Sequence, residues 1–258
     1  MARNHAKAVT TRRSQGTRQM SRFILFVEGR NTEPGYFELL RRSNCKVIPV
    51  VVPGKGIGSC TEFVREASKR YGSLPKQVRD KYSQRWLVYD CDGHDDFTQS
   101  IRMARESGFR VAFSNMCIEY WFALHFHELD GSPIPMKGDS HSQAQIDLIN
   151  RAIELYNRKA VVKVAPYDSG SKAVTEDFFD LLMAISPETH RPRVVDAYVR
   201  ARNIHEVKKA QGAETRESVT TMYELMHELG VVTEDVTGAL TSTTVRPETG
   251  LSAFPSLK

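Results

Sequence analysis

Arg22-Phe23-Ile24-Leu25-Phe26-Val27-Glu28-Gly29 and Arg85-Trp86-Leu87-Val88-Tyr89-Asp90-Cys91-Asp92-Gly93 are the stretches on which the reading of this chain turns. Each is a short run of β-branched and aromatic residues that stops at an acid close to Gly, the pattern of a buried strand. In an open α/β sheet, sites form at the carboxyl ends of strands, so Glu28, Asp90 and Asp92 are expected to meet there. Two carboxylates separated by one residue, as in Asp90-x-Asp92, repel strongly unless a divalent cation lies between them. That pattern points to Mg²⁺ or Mn²⁺ together with phosphates. An acid after a strand also serves as a turn former or helix cap. Here, however, the intervening stretch holds the material for a helix, a strand and a second helix, which a return to a parallel strand requires.

Working outward, Thr32 is placed to cap a helix with Glu33 and Pro34 in its first turn and Tyr36, Phe37 and Leu40 on its buried face. Lys46 to Val52 reads as the next strand, with Pro49 arguing for an edge position or a bulge. Gly54 to Ser59 resembles a phosphate-cradling loop in composition but lacks its spacing; Lys55 is retained as a phosphate-contact candidate. Cys60 to Tyr71 is amphipathic through Phe63, Val64 and Ala67, and the basic residues from Arg65 to Arg85 read as a solvated surface. Asp95 or Asp96 starts a helix carrying Phe97, Ile101 and Ala104. Phe109 to Phe113 is a further strand, after which Ser114-Asn115 is expected to cap a helix apolar on nearly every face. Within it Glu119 is a site candidate, and His125 reads as a core histidine bonded to a carboxylate.

The composition, 258 residues with 40% hydrophobic and 26% charged, suits one sizeable α/β domain with an appended region. Cys45, Cys60, Cys91 and Cys117 form no Cys-x-x-Cys pair, which argues against a zinc site or a disulfide framework and fits the cytoplasm. No apolar stretch approaches the roughly 20 residues that span a bilayer, and no secretory leader is apparent. Of the net charge of +5, six basic side chains lie in residues 1–22, which hold no acid, so the remainder carries −1. That basic tail, with Arg12, Arg13 and Arg18, reads as disordered when free and as a nucleic-acid arm or a solubilising leader.

Beyond Ser142 the chain reads as mainly helical. Stripes at Ile146, Ile149, Ile153 and Tyr156, at Val174, Phe178, Leu181, Leu182 and Ile185, at Val194, Tyr198, Ala201 and His205, and at Val219, Met222, Tyr223, Met226 and Leu229 are core, the last ended by Gly230. The expected organisation is a basic tail at 1–21, an α/β domain at 22–130, a helical region at 131–236 packed on it, and a flexible tail at 237–258.

The stretch from Phe26 to Phe37 resembles the opening motif of RloB-like proteins, which carry a TOPRIM-type catalytic domain. Val88-Tyr89-Asp90-Cys91-Asp92 and the run from Ser114 to Phe126 resemble that family's second and third blocks. The family usually has Pro where this chain has Met116, a change read as neutral in a first helical turn. The resemblance spans roughly residues 22 to 230 and implies a TOPRIM-like, mostly parallel sheet flanked by helices. It also implies that Glu28, Asp90 and Asp92 hold one or two Mg²⁺ ions and that Glu119 matches the third block's acid.

The leading expectation is therefore a metal-dependent nuclease of bacterial anti-phage defence, cutting RNA, tRNA included, in preference to DNA. Arg12, Arg13, Arg18, Arg30 and Lys55 are its candidate nucleic-acid contacts. Two readings of other classes stand beside it: a non-catalytic nucleic-acid-binding or regulatory subunit, and a primase-like nucleotidyl transferase. The chain has no Walker motif, so any ATPase would be a separate partner; self-association is left open.

Overall fold

The computed structural model of the chain describes residues 22–43, the backbone of 47–51, and residues 58–91, 93–134, 140, 142–215 and 218–243. Arg12, Arg13, Arg18, Lys55 and Asp92, singled out above, lie outside the described residues, as do Cys45 and both terminal segments, 1–21 and 244–258. In chain order the elements are β1 (Arg22–Val27), α1 (Thr32–Ser43), β2 (Val47–Val51), α2 (Cys60–Ser73), α3 (Lys76–Arg79), β3 (Tyr82–Asp90), α4 (Phe97–Glu106) and β4 (Arg110–Ser114). α5 (Glu119–Ala123) comes next, and then a helical part with α6 (Gln143–Lys159), α7 (Glu176–Met183), α8 (Arg193–Ala210) and α9 (Met222–Glu228), closed by the hairpin β5 (Val232–Glu234) and β6 (Leu240–Ser242).

The α/β class and the parallel sheet are as expected. Four strands in the order β2-β1-β3-β4 all pair in parallel, with Val27 opposite Val51 on one side and Val88 on the other. Pro49 sits in β2, the outer strand among the described residues, the position a residue without an N–H favours in a sheet. β1 and β3 bury every residue from Phe23 to Val27 and from Trp86 to Tyr89, as strands covered on both faces must. The chain starts in the middle of the sheet, moves out to β2, then crosses back to β3 and β4. Its order therefore reverses between β1 and β3, and at such a switch point the carboxyl ends of the two strands splay apart around a crevice.

Helices α2 and α4 pack together and on β3 and β4, while α1 lies along β2 and α9 along β4. Trp121 Nε1 donates to the Tyr36 hydroxyl at 3.3 Å, and that hydroxyl reaches Met226 Sδ at 3.6 Å, so one buried chain of contacts joins α5, α1 and α9. The C-terminal stripes are core apart from Ile185, which is exposed, and Tyr156 and Tyr223, which are half-buried. α7 ends at Met183, and Ile185 lies beyond it, bridged to Pro192. Gly230 ends α9 as read: φ is +71°, and Gly230 and Val231 donate back to His227 and Met226.

Four local expectations are corrected. Thr32 does not cap α1 with its side chain; its hydroxyl donates to the Lys172 carbonyl at 2.9 Å. Ser114 and Asn115 start no helix: Ser114 Oγ pairs with Thr220 Oγ1 at 3.0 Å, the Asn115 amide donates to Val219, and α5 begins only at Glu119. His125 bonds no carboxylate; its Nδ1 sits 2.9 Å from the Trp121 carbonyl, and complete burial drops its pKa to about 3, so it is a neutral core residue. Residues from Thr237 do not fray at once. Asp235 Oδ1 accepts from Thr237 N, Thr237 Oγ1 and Ala239 N, and Gly238 at φ +83° closes the turn into β6.

Asp96 holds a different helix from the one its sequence position suggests. It precedes α4 but makes no cap bond there; its carboxylate accepts from Cys60 N at 3.2 Å and Thr61 N at 2.8 Å, neutralising the N-terminus of α2 across the sheet edge. Burial acts to raise its pKa, but hydrogen bonds from Thr61, Ser59 and Cys60 outweigh it, and the net shift is downward. A carboxyl held below its unfolded value stabilises at neutral pH, and that contribution disappears as pH falls through the folded pKa, below the usual carboxylate range. Asp96→Ala is expected to cost about 1 kcal/mol in urea unfolding at pH 7, with the gap from wild type narrowing at pH 3. A gap that persists unchanged into acid contradicts this assignment.

Candidate active site

A cavity of about 670 Å³ opens at the carboxyl ends of β1 and β3. Glu28 leaves β1 half-buried, its amide donating to the Val88 carbonyl at 3.1 Å, so it is locked beside β3 one step before Asp90. Adjacent strands lie about 4.8 Å apart, which brings the roots of Glu28 and Asp90 to neighbouring positions on the rim. Asp90 Oδ2 accepts from the Ile118 amide at 3.0 Å, so the turn after β4 orients this carboxylate.

Met116 makes that turn with φ +91°, a conformation that side chains other than Gly adopt at a cost. The departure from Pro is therefore not the neutral exchange in a first helical turn that the sequence suggested, because a pyrrolidine ring cannot reach that angle. Two residues into α5's side of the turn, Glu119 is 1% exposed and points into the same cavity. The Tyr167 hydroxyl donates to its Oε1 at 3.2 Å, and Lys172 Nζ lies 3.7 Å away. Burial and the adjacent Glu119 and Glu33 carboxylates push the Tyr167 phenol well above its ordinary pKa, leaving it a fixed donor.

The cavity holds a fourth acid that sequence reasoning treated only as a first-turn residue. Glu33 is 5% exposed, lines the cavity, and folds back over Gly29, where a Cβ would lie 1.7 Å from its Oε2. Gly29 thus leaves room for this carboxylate to lie against the backbone. Its signal was the spacing Glu28-Gly29-x-x-x-Glu33, which a capping role for Glu33 had seemed to exhaust. Gly29→Ala should lose about 1–3 kcal/mol by forcing that carboxylate aside. In a Glu33→Ala background the same change should cost under about 0.5 kcal/mol, the coupling expected of groups in contact; additive losses in urea unfolding contradict it.

The remaining wall comes from the loop between α6 and α7, absent from the sequence-derived site. Asp168 Oδ2 accepts from Ser171 N at 2.8 Å and the Lys172 amide returns to the Asp168 carbonyl, forming a tight loop. Asn31 Nδ2 donates to the Ser171 carbonyl at 3.0 Å and Thr32 to that of Lys172, which pins the loop on the start of α1. Of the sequence candidates, Glu28, Asp90, Glu119 and Arg30 come together in this cavity.

A family model described as RloB-like protein matches residues 23–229. The chain belongs to the RloB-like protein family. No curated protein and no solved structure matches it. In this RloB-like chain the ends of β1 and β3, with α1 and α5, supply the acids of the cavity, and the loop between α6 and α7 supplies Lys172, with Tyr167 behind it on Glu119. No described helix is long and apolar enough to cross a membrane.

The donor chemistry of this RloB-like site suits a hard divalent cation. Glu28, Glu33, Asp90 and Glu119 offer only oxygen, as Mg²⁺ demands, and no His lines the cavity among the described residues. Among the described residues no three His, Cys, Asp or Glu side chains form a group that holds an ion unaided. Asp92, next to Asp90 in the Asp-x-Asp pair, lies outside that set.

Proposed function

We propose that this chain is a Mg²⁺-dependent nuclease that hydrolyses phosphodiester bonds, preferring RNA, tRNA included, to DNA, in bacterial defence against phage. One observation carries the reading: Glu28 and Asp90 end adjacent parallel strands at the sheet's switch point and share a cavity with Glu33 and Glu119. Among the described residues, four carboxylates against Arg30 and Lys172 leave that cavity net negative. A polyanionic substrate enters such a site only if further cations offset the charge. Family membership supports the same class, and a small fold with no strand-passing module among the described residues supports the preference for RNA.

Glu28, Asp90 and Asp92 would hold the ion, which when bound would supply Lewis-acid polarisation of a phosphoryl oxygen. The chain's own residues do the rest by position. Ile118 fixes the rotation of Asp90, and Tyr167 fixes Glu119. Glu28, half-buried at the rim, would, besides holding the ion, take a proton from an attacking water. Cys117 is no nucleophile: burial, then the Glu119 and Asp90 charges, raise its thiol pKa well above the ordinary value, so it stays protonated.

The test is incubation of end-labelled tRNA and of plasmid DNA with the full chain in Mg²⁺, in Mn²⁺ and in EDTA. Fragmentation that requires the metal is expected, faster for tRNA. Intact substrates under every condition overturn the proposal.

A further inference from the structure

We infer that Lys172 is a substrate-contacting cation that binds a phosphodiester oxygen next to the carboxylate cluster, a role that deepens, and rests on, the phosphodiester reading above. Among the described residues, Lys172 is the cation that the helical part of the chain delivers to the cavity, and its half-exposed ammonium stands 3.7 Å from Glu119 Oε1. That spacing is a loose ion pair, longer than a charge-assisted hydrogen bond of about 2.8 Å, so the ammonium can turn to an incoming anion without breaking a tight contact.

The backbone around it is held hard in contrast. The Lys172 carbonyl accepts from Thr32 Oγ1 at 2.9 Å and lies 3.3 Å from the Tyr167 hydroxyl, while its amide donates to Asp168 at 2.8 Å. Because Thr32 serves the carbonyl, the single Tyr167 proton is available to Glu119. Lys172 also sits at φ +49°, a backbone conformation that strains a non-glycine residue. Glycine would make this turn without strain, and the chain instead spends the strain on a long cationic side chain aimed at a cavity of acids. A fixed stem with a movable charged head is what binding one phosphate requires. Lysine acts there as a point charge, as it does in other phosphate sites.

The experiment measures binding, so that it does not depend on cleavage. Fluorescence anisotropy with a dye-labelled single-stranded RNA of about a dozen nucleotides is followed against the full chain in Ca²⁺ at several salt concentrations. Lys172→Met should weaken binding about five- to tenfold and make the log–log salt slope shallower by about 0.7, one phosphate contact on a single strand. Lys172→Arg should restore the slope, and Lys159→Met, at the far end of α6, should leave it unchanged. Wild-type affinity and slope in Lys172→Met overturn the inference. So does a variant that loses stability but keeps the slope, since that is the mark of a merely structural ion pair, and so does a wild-type chain that fails to bind. Binding that responds to Lys172 without cleavage in Mg²⁺ sinks the nuclease reading alone.

Discussion

Asp90→Asn and Glu28→Gln should each lower the rate of substrate cleavage by about 10³-fold or more while leaving the folded state in place. The choice of replacement matters. Asn at position 90 keeps an oxygen for the Ile118 amide, which donates to Asp90 Oδ2 at 3.0 Å, and removes only the charge. Ala would strand that amide and add about 1–3 kcal/mol of destabilisation, confusing loss of chemistry with loss of fold. Glu28 is half-buried and held by its backbone, so Gln should shift unfolding by under about 1 kcal/mol. The measurement is single-turnover cleavage of the better substrate, with urea unfolding alongside. Variants that cut at the wild-type rate remove these two acids from the chemistry, whatever the metal requirement.

The second large effect concerns shape. Met116→Pro should destabilise the chain by about 3 kcal/mol or more, because Pro holds φ near −65° and the native turn needs +91°. The turn cannot simply swing, for it is tied on both sides: the Asn115 amide donates to Val219 at 2.7 Å and the Ile118 amide to Asp90. Whichever tie yields, Asp90 loses its orientation, so activity should fall with stability. Met116→Gly should be neutral or stabilise by up to about 1 kcal/mol, since Gly reaches positive φ without Cβ strain. Thermal unfolding of the pair decides the matter: a proline variant with the wild-type midpoint is incompatible with the turn described.

Much of this was legible in the linear chain. The runs Phe23 to Val27 and Trp86 to Tyr89 announced buried strands because both faces of a parallel sheet are covered, and the acids ending them marked the site. Pro49 announced the edge. What escaped depends on approach through space. Asp96 looked like the cap of the helix that follows it, and only folding brings it to the start of α2, more than thirty residues away. Tyr167 and Lys172 lie in an irregular loop between helices, where no periodicity reports on tertiary neighbours, and they meet Glu119 and Thr32 across roughly 50 and 140 positions. Glu33 was hidden by its plausible local duty.

The loop from Asp168 to Lys172 is riveted to Asn31 and Thr32 while its own turn closes on itself. Removing the helical half would therefore widen an already open cleft into a trough, with Glu28, Glu33, Asp90 and Glu119 intact but one bank missing. Exchanging that half between kindred chains is accordingly a route to retuning which polymers are accepted without touching the acids that would cut them.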